Sequence, residues 1–279
     1  MRLRVGAATD KGRIRALNED VYVARAAEGL FVVCDGMGGA PEGEIASRLA
    51  ADIILREALA GLSPDAPRLR EGEARYRPHT SALASAVRAS NDAIYGHGLV
   101  DPSRAGMGTT MVGAWLSDFV ASVAHVGDSR AYLWHRGCLC ALTRDHTVVE
   151  ALRQEELIES ADSLCAEEQH ALLRALGVEP EVEVDVSETA LQPGDYLLLC
   201  SDGLTRMVSE SIVERAISQL RKPQQICDYL VDTANANGGI DNITVLTVEV
   251  VDRWHRRLSQ FWKRSIAGAF NAETHPEIR

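Results

Sequence analysis

Two hydrophobic runs in this chain end on an aspartate followed by glycine, and that pattern constrains the fold more than any other feature. The first, LFVVCDGMGG, spans Leu30 to Gly39; the second, YLLLCSDGL, spans Tyr196 to Leu204. A short apolar run of this length reads as a strand buried on both faces. Ending such a strand on a carboxylate is costly unless something compensates the charge. An Asp-Gly pair is also the preferred hairpin turn, but neither DGMGG nor DGLTR leads at once into a partner strand. Two strands that each deliver an Asp and then a Gly look like carriers of ligands to a common point.

The remaining punctuation supports a layered α+β fold. Strands are expected at Leu3 to Thr9, Val21 to Arg25, Leu30 to Asp35, Thr109 to Leu116, Phe119 to Val126, Arg130 to Trp134, Val182 to Val186, Tyr196 to Cys200 and Ile243 to Val251. LSD and GDS, between the middle three, have hairpin length. Helical spacing runs from Glu42 to Leu59, with Ile45, Leu49, Ile53 and Ile54 on one face, and from Thr80 to Tyr95, with Leu83, Val87 and Ile94 inward. Two further helices are expected at Glu210 to Leu220 and Pro223 to Asn235, and a surface loop at Gly61 to His79. Strands and helices come in blocks rather than in strict alternation, which favours α+β over a doubly wound sheet.

Two more aspartates sit beside small or flexible residues, Asp128 in HVGDSR and Asp241 in GIDNIT, joining Asp35 and Asp202. Several like charges at one point call for a cation. Carboxylate and carbonyl oxygens suit Mg²⁺ or Mn²⁺, and no His or Cys cluster stands nearby to favour Zn²⁺. The glycine after each strand-end Asp permits close backbone approach, so that a carbonyl can join the ligands. The six cysteines form no metal-binding pairs; Cys34 and Cys200 lie in apolar runs, and Cys138 and Cys140 are isolated. A net charge of −11 argues against nucleic acid as a partner. The N-terminus lacks a signal-peptide core, and no apolar run approaches the roughly 20 residues of a membrane span, so a cytoplasmic location is expected.

In chain order the segments RALNED (Arg15 to Asp20), VCDGMGG (Val33 to Gly39), GTT (Gly108 to Thr110), VGDSR (Val126 to Arg130), LTRDHT (Leu142 to Thr147), CSDGLT (Cys200 to Thr205) and DNIT (Asp241 to Thr244) follow one another. Together they resemble the metal-dependent serine/threonine protein phosphatases of the type 2C class, in their bacterial form, over roughly residues 1–251. The resemblance implies a central antiparallel β-sandwich flanked by helices on both sides. It implies a catalytic domain over 1–252 with a flap at about 145–180, and a metal site at one end of the sandwich. Asp35 would bridge two ions and the Gly36 carbonyl would bind one of them. Asp202 and Asp241 would complete the protein ligands, and Glu19 and Asp20 would hold waters. Asp128, with Asp202, matches a third ion position. Arg15 matches the arginine that grips phosphate. Substrates would be phosphoproteins made by a cognate Ser/Thr kinase.

The chain departs from the family pattern in places. Met37 stands where some relatives carry a proton-donating histidine, Ala40-Pro41 follow the GMGG run, and Leu173 replaces a threonine. Arg153 and Glu155-Glu156 in the flap can tune substrates or form a solvated helix face, and His146 reads as a structural hydrogen-bonding residue. Met107 and Trp115 read as core, Thr9 and Asp10 as turn formers, and Asn242 as the residue that fixes its loop. Beyond the domain, residues 253–279 place Trp254, Leu258, Phe261, Trp262 and Ile266 on one side of a basic amphipathic helix. Such a helix packs on its own domain, on a partner or on a membrane surface.

Overall fold

The computed structural model describes residues 1–37, 42–63, 75–101, 104, 106–155, 157–158 and 171–251. Two antiparallel sheets lie face to face. The first has the order β1 (Arg2–Asp10), β11 (Ile243–Val251), β10 (Tyr196–Cys200), β7 (Arg130–His135), β8 (Cys138–Ala141). The second runs β2 (Asp20–Arg25), β3 (Leu30–Met37), β5 (Met111–Ser117), β6 (Val120–Val126), β9 (Asp185–Ala190), with the two-residue β4 (Gly108–Thr109) paired to the end of β3.

Three apolar layers hold this sandwich together. Between the sheets, Phe31, Val33 and Val112 meet Leu197, Leu199, Leu246 and Val248, all fully buried. Each such side chain contributes about 1.5–3 kcal/mol of burial. On the outer face of the second sheet lie α1 (Glu42–Ala60) and α2 (Pro78–Val100), over Leu30, Val32, Cys34 and Met111. On the outer face of the first lie α5 (Glu210–Leu220) and α6 (Pro223–Ala236), over Tyr132, Leu198 and Val245. Two short helices, α3 (Val148–Gln154) and α4 (Asp202–Thr205), sit near one end of the sandwich. The architecture is thus α+β in four layers, helix–sheet–sheet–helix. Met107 and Trp115 are buried in it, as expected.

Four details differ from the sequence reading. GDS is not a hairpin turn: β6 and β7 belong to different sheets, and the chain crosses between them at Gly127, whose φ of 108° is open to glycine. The strand expected at Val182 to Val186 begins only at Asp185, because Val182 and Val184 pack on the helix layer before the pairing with β6 starts. β8 was not legible at all, being a four-residue, mostly exposed edge strand. Finally, α1 turns Ala46, Ala50, Ala51 and Ala58 inward beside Ile53 and Ile54, leaving Ile45 and Leu49 only partly buried. Small residues let this helix lie close on the sheet.

Candidate metal and phosphate site

The ends of β2, β3, β10 and β11 and the crossing after β6 meet at one end of the sandwich, and each brings a carboxylate. Asp20 and Asp35 are direct cross-strand partners in the β2–β3 pair. Asp202 opens α4 immediately after β10, Asp241 precedes β11, and Asp128 sits in the crossing. With Glu19, Gly36, Met37, Thr110, Leu172 and Arg15, the carboxylates of Asp35, Asp128, Asp202 and Asp241 line one cleft of about 280 Å³. The site residues expected from the sequence therefore line this cleft, except Asp20, which stands beside Asp35 as its cross-strand partner.

The glycines explain the recurrent Asp-Gly pair. A methyl group on Gly36 would collide with the carbonyl of Gly43 in α1, and one on Gly203 with the carbonyl of Asn242. Each strand end is therefore pressed against a neighbouring backbone, which fixes the direction of the Asp before it. Further hydrogen bonds hold the frame. The Asp35 carbonyl accepts from Thr109 Oγ1 and the Thr110 amide, each at 2.8 Å. Ser201 Oγ donates to Asp20 Oδ2 at 2.7 Å. Asn242 Oδ1 accepts the Glu19 amide at 2.8 Å, while its Nδ2 donates to the carbonyls of Lys11 and Leu17. Asn242 is thus the clamp between the RALNED and DNIT segments, and Thr9 helps, accepting from Asn18 Nδ2 at 2.8 Å. Asp10 forms its turn by accepting the Gly12 amide.

The electrostatics are those of a cation site. Burial, and then the charges of Asp20, Asp202, Asp128 and Asp241, hold the Asp35 carboxyl well above its usual range. Burial likewise pushes Asp20 and Asp128 up to about 7, helped for Asp128 by the charges of Asp202 and Asp145. Burial also raises Glu19 and Asp202. Asp20 Oδ1 and Asp202 Oδ1 are buried with no hydrogen-bond partner. Orphaned carboxylate oxygens in a group that repels itself fit hard divalent cations. Arg15, half exposed at the mouth, donates from Nη2 to Asp241 Oδ2 at 2.8 Å.

One participant was missed. Arg206 closes the α4 turn and reaches back to Asp202 Oδ2 at 3.3 Å and Asp241 Oδ2 at 3.2 Å. Its only sequence signal is the i,i+4 spacing from Asp202 in DGLTR.

A second cluster, His125, His146 and Asp185, brings potential ligand atoms within 4.8 Å of one another. It is a poor metal site. His146 Nδ1 already accepts the Gly127 amide at 3.1 Å, so binding an ion through Nε2 would strip both ring nitrogens of protons. His146 instead braces the Gly127 crossing, in keeping with a structural role. The RALG segment is tied down by Arg174, which bonds Asp185 and Glu183. Leu173 points outward there, 55% exposed. Arg153 is half exposed beside Glu150. Ala40-Pro41, Glu156 and residues 253–279 lie outside the described residues.

The profile of the family described as protein phosphatase 2C matches residues 13–239. The chain belongs to the protein phosphatase 2C family. Among curated relatives, the serine/threonine phosphatase stp of Listeria welshimeri is 38% identical over 247 residues, covering 86% of this chain and 93% of that protein. The crystal structure of the Mycobacterium tuberculosis serine/threonine phosphatase PstP/Ppp superposes with a TM-score of 0.77 at 34% identity, covering 90% of this chain and 100% of that one. A structure of the PstP catalytic domain in complex with two manganese ions superposes with a TM-score of 0.73 at 37% identity, covering 90% of this chain and 99% of that one. The protein phosphatase 2C fold thus accounts for both sheets and the helices that flank them.

Proposed function

We propose that this chain is a metal-dependent protein phosphatase that hydrolyses phosphoserine and phosphothreonine, with Asp35, the Gly36 carbonyl, Asp202 and Asp241 holding two Mn²⁺ or Mg²⁺ ions. The observation that carries this reading is the convergence of three strand-end carboxylates in one cleft with Arg15 at its mouth. The ions, when bound, lower the pKa of water and offset the charge of the phosphoryl group in flight.

The chain's own residues do the rest. Arg15, released from Asp241, offers a planar fork to two phosphate oxygens. Glu19, in the cleft lining, and Asp20, beside Asp35 with its Oδ1 unpartnered, accept hydrogen bonds from waters there and orient them. Met37 carries no proton, so it cannot serve as the acid for the leaving serine or threonine oxygen. Among the described residues no thiolate competes as a nucleophile: Cys34, next to Asp35 in the chain, and Cys200, two residues before Asp202, are fully buried, and burial pushes both pKa values up. Direct attack by water, without a phosphoenzyme, follows.

Phosphorylated proteins are the substrates, and a Ser/Thr kinase acting on the same proteins is the natural counterpart. Residues 1–252 would serve as the catalytic domain, with the flap over about 145–180; residues 253–279 append a basic amphipathic sequence. No helix among the described residues is long and apolar enough to cross a membrane, which suits a cytoplasmic enzyme. The test is hydrolysis of a phosphothreonine peptide by protein stripped with chelator. Activity should return with Mn²⁺ or Mg²⁺, and a phosphodiester should stay intact. Binding of the phosphopeptide without turnover would indicate a recognition module, and diester cleavage a phosphodiesterase.

A further inference from the structure

We propose that Arg206 is a built-in cation of the carboxylate cluster, lodged between Asp202 and Asp241 on the Asp128 side, where it keeps a third divalent ion from binding. The inference rests on the two-ion reading above and concerns only what this chain adds to it.

Two clefts meet at Asp128 and Asp202. One, on the Asp35 side, is entered past Arg15; the other, of about 490 Å³, contains Arg206, Arg130 and Asp145. Arg206 therefore lines one cleft and Arg15 the other, while both guanidiniums reach Asp241 Oδ2. Arg206 is delivered there by the backbone: its amide donates to the Asp202 carbonyl at 2.9 Å, so the turn that presents Asp202 also presents the guanidinium. The head group is only 21% exposed and contacts two carboxylates that arrive from separate strands. Its Nε is buried with no well-formed hydrogen bond. Charge, rather than a complete set of hydrogen bonds, holds it in place.

Arg130 does not do the same. Its guanidinium is engaged by both oxygens of Asp145 at 2.8 and 2.7 Å and by Tyr132, so it is spoken for and leaves Asp128 unneutralised. Arg206 instead lines the cleft that Asp128 shares with Asp202 and keeps its guanidinium on the carboxylates.

The charge balance points the same way. Glu19, Asp20, Asp35, Asp128, Asp202 and Asp241 carry six negative charges when ionised, and two divalent ions with Arg15 and Arg206 neutralise them. A further divalent ion on Asp128 and Asp202 would sit against a fixed guanidinium and would have to displace it. Removing that guanidinium leaves Asp128 and Asp202 short of one positive charge and opens the position.

Counting bound Mn²⁺ tests this without reference to turnover. Chelator-stripped full-length protein is dialysed to equilibrium against graded Mn²⁺, and bound metal is measured by mass spectrometry. Wild type should bind two ions per chain. Arg206→Gln should bind a third at a free Mn²⁺ concentration at least tenfold below any third binding to wild type. Arg206→Lys, which keeps a charge, should behave as wild type, and Arg206→Gln combined with Asp128→Asn should return to two. Circular dichroism reports whether each variant folds; Arg206→Ala serves as the second uncharged variant. A third ion on wild type with the affinity seen in Arg206→Gln, or two ions in both uncharged variants, would overturn the proposal. Fewer than two ions on wild type would defeat the site assignment together with it.

Discussion

The side chain of Asn242 accepts the Glu19 amide at 2.8 Å and thereby joins the loop before β11 to the loop before β2, 223 residues apart in the chain. Its two remaining hydrogen bonds, to the carbonyls of Lys11 and Leu17, bracket the segment that carries Arg15. The phosphate grip and the metal carboxylates therefore share one hinge pin that touches neither ion nor substrate.

Asn242→Ala should consequently impair both. It strands the buried Glu19 amide, at a cost of about 1–3 kcal/mol, and releases two part-buried carbonyls that water can reach. Thermal denaturation should show a fall of roughly 5 °C, since 1 kcal/mol is worth about 2–4 °C at this size. Turnover of a phosphopeptide should drop at least tenfold in kcat/KM at saturating Mn²⁺. An unchanged kcat/KM would show that Arg15 and Glu19 are held by something else.

Close packing makes Gly36 intolerant of the smallest substitution. Gly36→Ala should push β3 from the N-terminal end of α1, destabilise the protein by about 1–3 kcal/mol, and weaken Mn²⁺ binding at least tenfold by calorimetry. Gly96 in α2 is the control: nothing lies within 4 Å of an added methyl, and alanine there should stabilise by up to ~1 kcal/mol. Equal behaviour of the two variants would contradict the packing argument.

The carboxylate cluster also sets a pH dependence whose sign differs with and without metal. Asp20 and Asp128, pushed up to about 7 chiefly by burial, keep protons in the folded protein that an unfolded chain releases near its ordinary value of 3.8. Between those limits the folded state holds more protons, so the stability of the metal-free protein falls as pH rises from about 4 to 7. Mn²⁺ held by Asp35, Asp202 and Asp241 beside these two groups favours their ionised forms, so the stabilisation it adds grows over the same interval. Melting curves at pH 5 and pH 7.5 with chelator, then with Mn²⁺, should show a larger metal-induced rise in Tm at pH 7.5. The opposite order would mean that the metal does not bind beside these carboxyls.

Much of the site was legible because its chemistry stands at strand ends. LFVVCDGMGG and YLLLCSDGL announce both the buried strands and the ligands they deliver, and close backbone packing at Gly36 and Gly203 accounts for the residue after each Asp. Other parts had no local signature. The three residues GDS have the length of a hairpin turn, and only the tertiary fold reveals that β6 and β7 lie in different sheets; yet that crossing is what places Asp128. β8 was invisible because its residues are mostly exposed and its pairing with β7 depends on the turn at Arg136 and Gly137, both at positive φ. Arg206 reads as an ordinary arginine after a short turn. Its role emerges only when Asp241 arrives from the far end of the chain.

The central claim is that Asp35, Asp202 and Asp241 cage hard cations together. Anomalous diffraction from crystals grown with Mn²⁺ tests it most directly, with Asp35→Asn crystals as comparison. Two manganese peaks are expected within coordination distance of Asp35, the Gly36 carbonyl, Asp202 and Asp241, with at least one lost in the variant. Manganese bound elsewhere, or both peaks persisting without the Asp35 carboxylate, would contradict the account.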